Sequence, residues 1–341
     1  MTAADGPAPA AAGRTAASSD DVLVLRALGL GDALTGVAAL RGLRRAFPRR
    51  RLVLAGPAET GAWLQRLGVV DAVLPTHGLA PLRWPRERRG HVAVNLHGRG
   101  PQSHRLLAAT GPAELVAFAC PEAGHHHGPQ WRADEHEVER WCRLVRSAGG
   151  PCAPDDLRLA GPPKDGDVVL HPGAASGARR WPAARWSSLA RRLAGAGHRV
   201  VVTGSAGERD LCAAVVAGAR DERAAGGAGV TCLAGALDLP ALAEVVGRAR
   251  LLVCGDTGVA HVATALGTPS VVLFGPTPPA WWGPAVDTDR HVVIWHGTGP
   301  GDPHGAEVDP ALAAITAEEV WDAARGLLSS APATAALSGR S

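Results

Sequence analysis

The chain has 341 residues, about twice the length of a typical single domain, and its 46% of hydrophobic residues can fill two ordinary cores. No apolar run approaches the roughly eighteen residues that a membrane-spanning helix needs. A net charge of +3 and an aromatic content of 4% give no footing for a nucleic-acid partner.

The first twenty residues are rich in Ala, Gly, Pro and Ser. They lack the basic start and apolar run of a secretory signal, so residues 1–20 are expected to be a disordered tail, as are 331–341. Asp21–Arg26 then reads as a short buried strand, and Asp32–Phe47 as one amphipathic helix stopped by Pro48. Arg51–Ala55 is a second strand, and Glu59–Leu67 a short helix closed by Gly68. Ala72–Leu74, His91–Leu96 and Glu114–Phe118 read as further strands, followed by a polar helix over Asp134–Ser147. The segment Gly149–Asp167, rich in Pro, Gly and Asp, reads as a linker.

The same rhythm restarts after the linker. Strands are predicted at Val168–His171, Arg199–Thr203, Val230–Leu233, Leu251–Cys254 and Ser270–Phe274. Helices are predicted at Pro182–Ala194, Glu208–Ala217, Pro240–Ala249 and Gly258–Leu266, the last stopped by Gly267 and Pro269. Thr316 and Glu319 have capping-box spacing and open a final helix to about Leu328. Alternating β and α elements predict α/β architecture in two units, 21–160 and 161–330, each a parallel sheet covered by helices, with a cleft between them.

The six cysteines form no C-x-x-C pair, and several sit in apolar segments, so buried free thiols are expected and no metal site. Lys164 is the only lysine; arginine carries the remaining basic charge, and its guanidinium fork suits phosphate.

Open parallel sheets bind ligands beyond the carboxyl ends of their strands, and three such ends carry unusual residues. The first is Leu28-Gly-Leu-Gly-Asp32. An ionised Asp32 at a helix start could take a proton from a hydroxyl nucleophile; the plain alternative is a helix cap worth about 1 kcal/mol. The loop fails as a dinucleotide fingerprint, because Leu34 stands where the third glycine belongs. The second end is His171-Pro-Gly-Ala-Ala-Ser176-Gly-Ala-Arg179-Arg180-Trp181-Pro182, a Gly-containing loop with two arginines before a helix, suited to phosphate oxygens or simply solvated. The third is Cys254-Gly-Asp256-Thr257-Gly258-Val-Ala-His261, followed by Phe274-Gly-Pro-Thr-Pro-Pro279. Its helix start could hold a diphosphate, with a cap and a core histidine as the plain alternative.

Taken in order, the G-D of the first helix, HPGA…ARRWP, the G-S-x-x-E at Gly204–Glu208, D-T-G-x-x-H and F-G-P-T-x-P resemble glycosyltransferase family 9, the ADP-heptose:lipopolysaccharide heptosyltransferases, over nearly the whole span from Asp21 to Leu328. The resemblance implies a GT-B fold, two Rossmann-like domains facing a cleft, and inverting, metal-independent transfer from a nucleotide-sugar. It implies Asp32 as general base. It further implies donor contacts from Ser176, Arg179, Gly204, Glu208, Asp256, Thr257, Gly258 and His261, with Arg179 standing where the family usually has lysine. The N-terminal domain would then take the acceptor, with Arg26 matching a basic family position and His97 and Arg99 chosen by their place in the chain. Ala174 and Ala175 depart from loop positions that are often hydroxylated in the family.

Expected partners are a nucleotide-sugar donor and a glycan, lipid-linked or small-molecule acceptor, with no cofactor. The expected location is cytoplasmic, with room for peripheral contact at the inner face of the membrane. An NDP-sugar epimerase on the same scaffold and a non-catalytic sugar-nucleotide binding protein stay open as alternatives, and a nicotinamide dehydrogenase is a distant third. Asp287-Thr-Asp289 matches a metal-binding D-x-D but falls in a late loop, and His125–His127 reads as a surface loop.

Overall fold

The computed structural model describes residues 20–220 and 229–330; the expected tails lie outside these residues apart from Asp20. The first half forms β1 (Asp21–Leu25), α1 (Leu30–Thr35), α2 (Val37–Ala46), β2 (Arg51–Gly56), α3 (Ala58–Arg66), β3 (Ala72–Pro75), β4 (Val92–Asn95), α4 (Gln102–Ala108), β5 (Glu114–Val116) and α5 (Glu137–Ser147). The second half forms β6 (Val168–His171), α6 (Ala183–Gly195), β7 (Val200–Val202), α7 (Arg209–Ala219), β8 (Val230–Cys232), α8 (Leu239–Arg248), β9 (Leu251–Gly255) and α9 (Gly258–Leu266). It ends with β10 (Ser270–Leu273), α10 (Pro279–Trp282), β11 (His291–Ile294), α11 (Pro310–Ala314) and α12 (Ala317–Ser330).

The strands make two sheets, ordered β3-β2-β1-β4-β5 and β11-β10-β9-β6-β7-β8, with every neighbouring pair parallel. In both sheets the first strand of the half lies between its second and fourth strands, so the winding reverses at β1/β4 and at β6/β9. Ligands sit beyond the strand ends at such reversals. The central strands β1, β4, β6, β9 and β10 are buried at every position, as continuous Val/Leu runs with helices on both faces must be.

One hydrophobic cluster runs from Val22, Leu34 and Trp141 of the first half into Val246, Val262 and Phe274 of the second, so the halves share a core. A second cluster fills the far side of the larger sheet under α6, α7 and α12, where Trp181 and Trp186 meet edge-on at 5.0 Å. Lys164 ties the linker to the second half, donating to the carbonyls of Gly247 (2.6 Å) and Leu266 (2.9 Å) at the ends of α8 and α9. A cation there complements both helix dipoles. The Thr316/Glu319 capping box forms as expected, each side chain bonding the other residue's backbone N–H.

Three local expectations change. The helix expected over Asp32–Phe47 is two helices, because Gly36 interrupts it. A Cβ at Gly36 would lie 2.9 Å from Cδ of Arg26, and the Arg26 Nε takes the Asp32 carbonyl at the break. The strand expected to reach Phe118 stops at Val116. Helices α4, α10 and α11 and the edge strand β11 carry weak periodicity and were not predicted.

Candidate active site

Two helix starts face one another across the halves. Gly31 of α1 and Gly258 of α9 meet so closely that a Cβ at Gly31 would lie 2.8 Å from Cδ2 of His261, and one at Gly258 would lie 3.0 Å from Cβ of Leu30. Only residues without a Cβ let the two backbones approach this far. The cavity at this junction measures about 680 Å³. Asp32 lines it from one side, Arg179, Asp256, Thr257, Gly258 and His261 from the other.

Asp32 stands in the first turn of α1 with its side chain 27% exposed. Burial raises its pKa above the ordinary aspartate value, Arg26 opposes that, and Glu137 adds to it. A carboxylate with raised basicity that still reaches the cavity is suited to accept a proton. Behind it, Arg26 is 1% exposed, and its guanidinium is engaged by the carbonyls of Asp32 and Leu96, by Thr35 Oγ1 at 2.9 Å and by Glu137 Oε1 at 3.1 Å. The sequence reading that set Arg26 against the acceptor is therefore corrected. Its charge is spent inside the protein, because Glu137, 111 positions away in sequence, draws it inward.

On the opposite wall, α9 starts with Thr257 as an extended N-cap whose side chain makes no capping bond, and no acid occupies the first turn. The Ala260 N–H bonds the Thr257 carbonyl at 3.0 Å, while Gly258 and Val259, whose N–H groups no helix carbonyl can reach, line the cavity at the positive end of the dipole. Arg179 adds a cation. Its Nη1 lies 3.7 Å from Asp256 Oδ2 and 3.3 Å from the Asp256 carbonyl, while its buried Nε has no partner. Burial raises the Asp256 pKa, with Arg179 and the Thr277 hydroxyl opposing. Burial pushes His261 down to about 4, so it is a neutral imidazole near pH 7; its ring meets Trp282 edge-on at 5.9 Å.

A smaller cavity of about 320 Å³ adjoins the first, sharing Ala175, Thr257 and Val259, and holds Gly204 and Glu208. Glu208 Oε2 accepts from the backbone N and the Oγ of Ser205, both at 2.8 Å, and a Cβ at Gly173 would come within 2.2 Å of Oε1. His171, at the same wall, is pushed down to about 4 by burial.

The remaining predicted residues lie elsewhere. Ser176 lines neither cavity; its hydroxyl donates to the Pro303 carbonyl at 2.7 Å. His97 and Arg99 follow β4 on a loop shaped by Asn95, which accepts from the His97 N–H (3.0 Å) and donates to the Gly98 carbonyl (3.1 Å). The Ala27 N–H donates to His97 Nδ1 at 3.2 Å, leaving the ring proton on Nε2. Arg99 is exposed, and neither residue lines the main cavity.

Sequence reasoning missed one wall altogether. Residues 300–304 reach over the cavity, contributing Pro300, Gly301, Pro303 and His304 beside Trp281. The Gly301 N–H bonds the Pro276 carbonyl at 2.7 Å, and the Ala178 N–H bonds the Gly305 carbonyl at 2.9 Å. Gly177 permits this, since a Cβ there would collide with the Ala306 carbonyl at 1.6 Å. The available signal was the G-T-G-P-G-D-P-H-G run at 297–305, too long and glycine-rich for a plain connection. Asp287 of the D-x-D is instead bound by Arg158 at 2.8 Å, and among the described residues no group of three or more His, Cys, Asp or Glu converges on one point. Among them also, no helix is long and apolar enough to cross a membrane.

The family model described as glycosyltransferase family 9 (heptosyltransferase) matches residues 152–301. Lipopolysaccharide heptosyltransferase 2 of Salmonella typhimurium is 25% identical over an alignment covering 90% of this chain and 98% of that protein. Lipopolysaccharide heptosyltransferase 1 of Pseudomonas aeruginosa is 38% identical over 34% of this chain and 30% of its own length. Among solved structures, the E. coli ADP-heptose LPS heptosyltransferase II aligns with a TM-score of 0.73 at 23% identity, covering 90% of this chain and 98% of that one. The two parallel sheets, the helix starts that meet between them and these likenesses converge: the chain is a glycosyltransferase of the GT-B fold whose residues 152–301 match the family 9 model.

Proposed function

We propose that this glycosyltransferase moves a heptose from an ADP-heptose donor to a hydroxyl of a lipopolysaccharide-type glycan, with inversion and without a metal ion. The observation that carries the reading is the abutment of α1 and α9, which sets a basic carboxylate against an anion-binding helix start in one cavity. The relatives' names supply the sugar and acceptor class, and a neighbouring structure's title supplies ADP-heptose. Residues 21–160 form the acceptor side in this reading and 161–330 the donor side, the enzyme being cytoplasmic and meeting its acceptor at the inner membrane face.

The diphosphate rests on the first turn of α9, with the Thr257 hydroxyl and Arg179 as further donors and neutral His261 beside them. The nucleoside extends into the smaller cavity toward Glu208. Asp32 takes the proton of the acceptor hydroxyl as its oxygen attacks the anomeric carbon. The bond from that carbon to the phosphate oxygen breaks, its electron pair leaves with the diphosphate, and the configuration inverts. The α9 dipole and Arg179 meet the charge that develops on the leaving group. His97 and Arg99 stand at the carboxyl edge of the first sheet as acceptor contacts.

Calorimetric titration with ADP, UDP, GDP and dTDP, with and without EDTA, tests the donor site. ADP is expected to bind best, unaffected by chelation, and to weaken about tenfold or more in the Thr257→Ala/His261→Ala variant. Preference for another nucleotide would change the donor, and no nucleotide binding by folded protein would end the reading.

A further inference from the structure

We propose that Glu137 is a positioning residue for the transfer reaction: by holding the outer nitrogen of Arg26 it keeps that guanidinium from closing on the Asp32 carboxylate. The inference rests on Asp32 as base and adds the residue that keeps the base available.

A guanidinium carries five N–H bonds, two of them on Nη2. Nη2 is the Arg26 nitrogen paired with Asp32, at 3.7 Å from Oδ1. It donates to Thr35 Oγ1 at 2.9 Å and to Glu137 Oε1 at 3.1 Å, which uses both of its hydrogens. Nε is taken by the Asp32 carbonyl and Nη1 donates to the Leu96 carbonyl. Arg26 therefore acts on the Asp32 carboxylate through space, without a direct hydrogen bond from Nη2. An Arg–carboxylate fork would occupy one lone pair on each oxygen and stabilise the anion, which weakens it as a proton acceptor.

Glu137 is built to stay in place. It is 5% exposed, its Oε1 also accepts from Trp141 Nε1 at 2.7 Å, and its Oε2 pairs with Arg140. Arg26 lies 4.9 Å over the Trp141 ring, which walls off the remaining side. Burial works against the Glu137 charge, yet Arg26 and Arg140 outweigh it and hold the carboxyl below its ordinary range. The charged and titratable groups around Asp32 are then Arg26 from the end of β1, Glu137 from α5, His261 from α9 behind Gly31, and Arg179 and Asp256 across the cavity. Glu137 shares with Thr35 the Arg26 nitrogen that is paired with Asp32, and of those two acceptors only Glu137 carries charge.

The test is the titration of Asp32 in the intact protein, followed by carboxyl ¹³C NMR with Asp-selective labelling and assigned by the signal missing from Asp32→Asn. Glu137→Gln leaves Nη2 only a neutral, weaker amide-oxygen acceptor and uncovers the Arg26 charge, so the Asp32 midpoint is expected to fall by about one pH unit. Glu137→Asp keeps the charge but withdraws it from Nη2, and its midpoint is expected between Glu137→Gln and wild type. Should Glu137→Gln fail to fold, Glu137→Asp carries the test alone. A midpoint in folded Glu137→Asp that coincides with wild type overturns the proposal, since a charge acting only at a distance, or a merely structural residue, would give that result. Turnover surviving in Asp32→Asn would instead end the reading of Asp32 as base, whatever the NMR midpoints show.

Discussion

The starts of α1 and α9 are built alike and used differently. Each follows a buried central strand through a glycine, and each points its positive end at the same cavity. In α1 the first turn holds its own anion, Asp32, so that end of the helix is already occupied. In α9 the first turn holds no acid and the Thr257 side chain makes no capping bond, so the N–H groups of Gly258 and Val259 stay available for an anion from outside. In the proposed reading, one residue in a shared design separates a proton acceptor from a phosphate cradle. The glycines Gly31 and Gly258 let the two ends meet.

The comparison breaks most severely at the base. Asp32→Asn is expected to lower kcat by about a hundredfold or more while ADP still binds, measured by product formation and calorimetry side by side. Equal loss of both would mean that the helix starts do not divide the work. A Cβ placed between the ends comes next. Gly31→Ala drives a methyl group toward His261, and kcat/KM is expected to fall about tenfold or more with little change in the melting temperature, because the strain falls on the junction and spares the cores.

The pH dependence sharpens the contrast further. Asp32 has a raised pKa, so turnover is expected to fall as pH drops through a midpoint above the ordinary aspartate value, and Asp32→Asn should abolish that limb. His171, His261 and His291 are each pushed down to about 4 by burial. Their unfolded forms take up protons near pH 6.5, before the folded forms do, so stability should decline as pH falls from about 6.5 toward 4. A melting temperature that is flat or rises over that interval would contradict the neutral, buried state given to His261. The smallest expected effect lies far from the cavity. Lys164→Met removes the cation shared by the ends of α8 and α9, and is expected to cost about 1–2 kcal/mol in chemical denaturation with ADP affinity unchanged.

The α/β rhythm was legible because parallel strands buried on both faces must be short Val/Leu runs, and the helices between them keep an apolar stripe. The G-D, ARRWP, G-S-x-x-E and D-T-G-x-x-H segments were legible because each sits where a strand turns into a helix, and the winding order brings all of them but G-S-x-x-E, which follows β7, to the reversals in the two sheets. Helix α4 and strand β11 escaped because edge elements carry little periodicity.

By itself the sequence determined the central strands, most of the helices between them and the chemistry available at each strand end, since these depend on residues close together along the chain. Tertiary structure alone decided that Arg26 turns inward to Glu137, 111 positions away. It also decided that residues 300–304 roof the cavity, held by the bonds of Gly301 to Pro276 and of Gly305 to Ala178, and that Gly31 meets Gly258. These are matters of packing and charge neutralisation between segments far apart in the chain, and local spacing carries no record of which buried charge will find which partner.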